Sequence, residues 1–281
     1  MRKITTQQFK RAINRNPAWA AKLNAPVEIT DFCNMAGSHI THLSPFLRFM
    51  GREESGQVAC FNNCNDLKVA EGHFAGFVEF NESGIEKIGK IRITGTNTVG
   101  HAANFDSCKD LKVAEGTFPG FVNFCDSGME RIGELIITAT DNDGDAAHFK
   151  FCKNLKVARG NFPGYVIFRC AGVEKIEELH ITKPNMLCLA AAFDGCEHLK
   201  VAEGTFPGHV DFSDSGINKL GRLSILLANE NGIKADFTGC DIHLPEKFLG
   251  LEYEMDDDLR RKNLQRVAVS KALNAAPDIE I

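Results

Sequence analysis

The stretch FDSCKDLKVAEGTFPGFVNFCDSGMERIGELIIT, Phe105 to Thr138, is one of four nearly identical copies written at one fixed interval. Leu67, Leu111, Leu155 and Leu199 each open the phrase Leu-Lys-Val-Ala, and successive copies lie 44 residues apart with no insertion or deletion. A fixed internal period means stacked repeats that share one continuous core in place of separate domains. Everything outside the repeat reads as a cap on it.

Each unit splits into two coils of 24 and 20 residues, with strand anchors at Leu47, Leu67, Ile91, Leu111, Leu135, Leu155, Leu179, Leu199 and Leu223. At each anchor the pattern is apolar-x-apolar, as in Leu111-Lys-Val113 and Leu135-Ile-Ile137, the mark of a short strand with one face buried. Gly-x-Phe-Pro-Gly at Gly116–Gly120 supplies a tight turn, and Val122-x-Phe124 alternates like a second short strand on the far side of the coil. Phe80, Phe124, Phe168 and Phe212, together with Phe61, Phe105, Phe149, Phe193 and Phe237, are expected to stack as aromatic ladders.

The segments Ala192-Phe-Asp-Gly-Cys-Glu-His-Leu199 and Ile88-Gly-Lys-Ile-Arg-Ile93 resemble the BspA-like class of bacterial leucine-rich repeats, and the match runs from about Phe46 to Cys240. The resemblance implies an α/β repeat solenoid, a right-handed leucine-rich-repeat superhelix with a parallel sheet and helical end caps. Three regions follow: a helical cap with a degenerate first repeat over 1–45, the solenoid over 46–243, and a C-terminal cap with a helix over 244–281. Nine or ten coils at the usual strand spacing give a length of roughly 45 Å. The asparagine ladder of better-known leucine-rich repeats is missing at its usual position, where the long coils carry Gly72, Gly116, Gly160 and Gly204.

The caps have their own signals. Thr6-Gln-Gln-Phe9 starts an amphipathic helix in which Phe9, Ala12 and Ile13 share a face, and Pro17–Leu23 forms a second turn carrying Trp19. Phe32-Cys33 and Ser38–Leu43 repeat the core phrase in degraded form, as a terminal repeat should. After Cys240 the repeat stops, and Asp256-Asp-Asp258 caps a helix whose partly apolar side holds Leu259, Leu264, Val267 and Leu273.

Hydrophobic residues make up 43% of the chain and the net charge is only −5, so no global field marks a nucleic-acid or membrane binder. Without an apolar leader or a membrane-length apolar run, the expected location is the cytoplasm, with no membrane insertion. Five of the ten cysteines, Cys64, Cys108, Cys152, Cys196 and Cys240, recur at the 44-residue interval. That spacing sets equivalent thiols about 9–10 Å apart, too far for disulfides, and they read as buried free thiols.

The outward strand positions of the anchors spell Arg48, Lys68, Arg92, Lys112, Ile136, Lys156, His180, Lys200 and Ser224. Stacked about 4.8 Å apart, Arg48, Lys68, Arg92, Lys112, Lys156, His180 and Lys200 would form a basic stripe for a protein partner with an acidic segment, or for an anionic glycan or nucleic acid. The competing reading is a solvated face neutralised by Asp66, Asp110, Glu134 and Glu178 beside it. Phe77, Phe121, Tyr165 and His209 form a second row, either buried at the coil corner or exposed as a contact patch. Asp141-Asn-Asp-Gly-Asp145 resembles the start of a calcium loop, but Lys150 stands where the ligating Glu belongs, and a turn is the reading kept.

No phosphate-cradling loop, paired zinc motif or nucleophile-base constellation is found, so neither an enzyme nor a cofactor is expected. Two function classes remain: a non-catalytic protein-interaction scaffold, and a host-directed bacterial effector or surface adhesin built on the same repeat.

Overall fold

A computed structural model describes residues 1–250 and 252–275. The chain winds as a parallel β-solenoid, and each coil crosses two opposed strand stacks. On face A a seven-stranded parallel sheet runs from Arg2–Ile4 through Val27–Ile29, Leu47–Phe49, Val69–Phe74, Lys87–Ile93 and Val113–Phe118 to Arg131–Ile137. Two hydrogen-bonded pairs continue it, Val157–Phe162 with Lys175–Ile181 and Val201–Phe206 with Lys219–Ile225. Face B is a single eleven-stranded parallel sheet of shorter strands, from Cys33–Asn34 to Tyr253–Glu254. This architecture is a repeat solenoid consistent with leucine-rich repeats, and the described α-helices, Thr6–Arg15 and Asp257–Ala275, lie at its ends. Eleven face-B strands exceed the nine or ten coils expected, because the terminal segments at Cys33 and Tyr253 join the stack.

The coils divide differently from the leucine count. Arg48 pairs with His73, 25 residues on, and His73 pairs with Arg92, 19 residues on. The reason lies in the long coils. Leu111 and Lys112 turn the corner, with the Leu111 N–H donating to the Cys108 carbonyl at 3.1 Å, and the strand begins only at Val113. A bulge between Ala114 and Gly116 then sets Gly116, not Leu111, opposite Leu135. Gly116 holds φ +121°, a conformation that costs glycine little and an L side chain much. The tight turn after this strand depends on glycine too, because a Cβ on Gly120 would lie 2.1 Å from the Gly100 carbonyl oxygen.

Burying one face of every strand leaves a narrow core, and phenylalanine fills it. Phe61, Phe80, Phe105, Phe124, Phe149, Phe168, Phe193, Phe212 and Phe237 make one continuous stack, with centroids 5.1–5.6 Å apart and planes within 12° of parallel. Phe74, Phe118, Phe162 and Phe206, from the ends of the long face-A strands, meet that stack edge-on. Stacked and edge-on contacts are the two arrangements the ring quadrupole favours. At the N-terminal end Met35 takes the ladder position, since its carbonyl accepts from Cys64 as the phenylalanine carbonyls accept from later thiols.

The recurring thiols line the corner beside the ladder. Cys108, Cys152, Cys196 and Cys240 donate to the carbonyls of Phe80, Phe124, Phe168 and Phe212 at 3.0–3.1 Å. All ten cysteines are free and the five recurring ones are buried.

Each end carries a helix held by specific contacts. Thr5 caps the first helix in a capping box with Gln8, and Phe9 and Ile13 bury against the first coil, with Phe9 edge-on to Trp19 and Phe49. At the other end the Asp256 carboxylate accepts from the Leu259 N–H at 2.8 Å, the cap expected of that acidic run. Among the described side chains of the last helix Leu259 and Asn263 are buried, and Asn263 accepts from the Leu244 N–H while donating to the Ile242 carbonyl. Leu264 faces solvent, so the helix's apolar side is narrower than the sequence pattern indicated, and Leu273 lies outside the residues whose side chains are described. No described helix is long and apolar enough to cross a membrane.

Candidate functional site

Face A carries the longest strands, and its outward row follows from the register. Arg48, His73 and Arg92 are consecutive cross-strand neighbours, Arg92 pairs with Thr117, and Thr117 pairs with Ile136. Asn161 with His180, and Thr205 with Ser224, occupy the same row in the later strand pairs. The stripe expected from the leucine anchors is therefore split. Arg48, Arg92 and His180 are where it placed them, whereas Lys68, Lys112, Lys156 and Lys200 belong to a corner row ahead of the long strands.

Three of the four lysines in that corner row are ion-paired, with Asp110 the one expected acid among their partners. Lys68 lies 3.0 Å from Glu86 and 3.6 Å from Asp110, Lys112 is 3.4 Å from Glu130, and Lys156 is 2.9 Å from Glu174. The cause is again the register, since the N–H groups of Glu130 and Arg131 donate to the Lys112 carbonyl and bring Glu130 alongside. Lys200 donates to the Glu197 carbonyl at 2.9 Å. Such exposed pairs contribute little to stability, but they cancel the local field.

Arg48, His73 and Arg92 differ from that row. Neither arginine forms an ion pair among the described residues. Burial first, and then the guanidiniums of Arg92 and Arg48, hold His73 below the usual histidine range. Its ring nitrogen Nε2 lies 3.0 Å from the Thr94 hydroxyl. Two arginine rungs thus present positive charge on either side of a histidine whose protonation they oppose, with Glu28, the other cross-strand neighbour of Arg48, already paired to Lys3.

Farther along face A, hydrogen bonding lapses where one 44-residue unit meets the next, and grooves open there. One, of about 510 Å³, lies between Arg131–Ile137 and Val157–Phe162 and is lined by Glu134, Ile136, Arg159, Asn161, Glu178 and His180. A second, of about 370 Å³, lies at the following junction against Glu203, Thr205 and Arg222. Gly160 and Gly204, both at φ +124°, form their floors without side chains. Ile136, half exposed, is an apolar contact within this polar surround.

The other candidates resolve as structural. Phe77, Phe121 and His209 are buried and Tyr165 is partly so, which places that row at the coil corner. The Asp141 carboxylate accepts from the N–H groups of Asp143 and Asp145 at 3.0 and 2.9 Å, a turn in which the side chain imitates backbone. Asn97, Asn185 and Asn229 do the same at the 44-residue interval, so an Asx ladder does exist, in the loops leading to face B. The period was the available signal for it. Among the described residues no three of His, Cys, Asp and Glu converge in a way that could hold a metal ion.

No protein-family model, curated protein sequence or solved structure matches this chain. The chain is a repetitive parallel-β solenoid with a strand spacing averaging about 22 residues on each face.

Proposed function

We propose that this protein is a BspA-like leucine-rich-repeat scaffold that binds another protein on face A without catalysing a reaction. The partner presents an acidic segment to Arg48, His73 and Arg92, and its apolar and polar side chains enter the grooves around Ile136, Asn161 and His180. The observation carrying this reading is the juxtaposition of two unpaired arginines around a histidine whose protonation they oppose, on a face where the corner lysines Lys68, Lys112 and Lys156 are ion-paired. A concentrated field steers association and fixes the register of a docked partner. Its side chains can change without disturbing the phenylalanine core.

The experiment uses two charge-reversal variants of the full chain as baits in lysate from the native cell. A partner identified on the wild-type bait is then purified and titrated. Arg48→Glu with Arg92→Glu should weaken binding at least tenfold, most strongly at low salt where attraction is least screened. Lys112→Glu with Lys156→Glu should leave it nearly unchanged. Equal affinity of the Arg48/Arg92 variant would move the site off this row.

A further inference from the structure

Face A ends differently from face B. Face B continues past the last repeat, with Tyr253–Glu254 pairing against Ala235–Asp236. On face A the last strand, Lys219–Ile225, pairs on one side with Val201–Phe206, and among the described residues no strand pairs with its other edge. Its inward side chains record the missing neighbour. Leu220, Leu223 and Ile225 are only partly buried, whereas their counterparts Ile132, Leu135 and Ile137 are 3%, 8% and 6% exposed.

The residues that follow depart from the repeat in the same sense. Earlier units place Thr94, Thr138 and Thr182 after the strand, each with its hydroxyl on a phenylalanine carbonyl. The last unit places Leu226 there and Leu227 beyond it, 64% and 51% exposed. A terminal repeat would be expected to carry a more polar outer face, and this one is more apolar. An open strand edge bordered by aliphatic side chains is a template for another strand.

Charge identifies the chemistry of that strand. Lys219 and Arg222 stand exposed on Lys219–Ile225, and neither forms an ion pair among the described residues. Antiparallel pairing of two copies would bring these cations together across the junction, which costs energy. An added segment with aliphatic residues toward the core and acids outward would cover Leu220, Leu223 and Ile225 while matching Lys219 and Arg222.

We propose that the free edge of Lys219–Ile225 receives an extended segment of a partner protein, alternately aliphatic and acidic, as a further strand of face A. This site is separate from the Arg48–His73–Arg92 patch, so the failure of either proposal leaves the other standing.

The test uses an eight-residue peptide alternating isoleucine and glutamate, labelled with a fluorophore and titrated against the full chain by anisotropy. Binding is expected, with at least tenfold loss when Lys219→Glu and Arg222→Glu are combined, and at least tenfold loss when the peptide's glutamates become lysines. The double variant should melt as the wild type does, since both side chains are exposed. Absence of binding to the full chain, or equal binding by the double variant, would overturn the proposal. So would binding that appears only after residues 276–281 are deleted, because Asp278-Ile-Glu-Ile281 has the same alternating composition and would then be the occupant. Concentration-dependent dimerisation that the double variant abolishes would likewise assign the edge to a second copy.

Discussion

The Cys152 thiol donates to the carbonyl of Phe124, 28 residues earlier in sequence, at 3.0 Å, while the Ser127 hydroxyl lies 3.4 Å from the same sulfur. The Ser38–Cys64, Ser83–Cys108 and Ser215–Cys240 pairs repeat the arrangement. Serine and cysteine thus alternate from coil to coil at one corner position, except that Ala171 replaces the serine beside Cys196. Cys152→Ser should cost less than about 1 kcal/mol, because a hydroxyl keeps the donor, whereas Cys152→Ala should cost about 1–3 kcal/mol by leaving buried polar groups unpaired. Urea unfolding of the two variants checks the order.

Burial pushes the Cys152 and Cys196 thiols up to about 12, and Cys108 up to about 11, from an ordinary value of 9.0. A group whose folded pKa is raised contributes stability that is whole below its unfolded pKa and lost as pH rises through the folded value. The thiols' contribution to stability should therefore be constant up to about pH 9 and be lost between 9 and 12. Cys152→Ser removes one titrating group, and its stability should fall less steeply over that window. Identical slopes would show that this thiol does not contribute.

The Asx ladder makes a graded prediction. Asp141→Asn should be nearly neutral, since Asn97, Asn185 and Asn229 accept the same two backbone N–H groups in other units. Asp141→Ala should cost about 1–3 kcal/mol by orphaning both donors, and Asp143→Ala should do almost nothing. Melting temperatures of the three variants test the order, and added calcium should change none of them.

Ten corner turns each hold one residue at positive φ, and three of those residues are glycines, Gly37, Gly195 and Gly239. Phe151, at φ 62° and 46% exposed, is the bulkiest occupant of that position. The left-handed region costs an ordinary L residue roughly 1–2 kcal/mol, and Asn tolerates it better. Phe151→Asn should stabilise the protein by about 0.5–1 kcal/mol in denaturant unfolding, through relief of that strain.

Much of this architecture was legible because it is periodic. The 44-residue interval fixed the positions of Cys108 and Cys152, and the Phe124 and Phe149 rings stack as their spacing indicated. The strand register was harder to read, since Leu111-Lys-Val113 has strand alternation although its first two residues turn a corner. The true partner of Leu135 is Gly116, which has no side chain to announce an inward position. The same slip misplaced Lys68, Lys112, Lys156 and Lys200 and left His73 out of the candidate patch. Asp141 was recognised as a turn in isolation, while its equivalence to Asn97 was hidden by the change of residue type. Pairing of Lys112 with Glu130 is set by the backbone hydrogen bonds of the next coil, which no single-strand pattern encodes.

The central claim is that His73, and not Lys68, stands beside Arg92 on the outward row of face A. Cross-linking tests it directly. Neighbouring strands about 4.8 Å apart fall within the Cα separation a disulfide accepts. Under mild oxidation His73→Cys with Arg92→Cys should form the linkage in most molecules, identified by mass spectrometry of the joined peptide, while Lys68→Cys with Arg92→Cys should remain reduced. Efficient linkage of the Lys68 pair and none of the His73 pair would contradict the register, and with it the patch on which the proposed function rests.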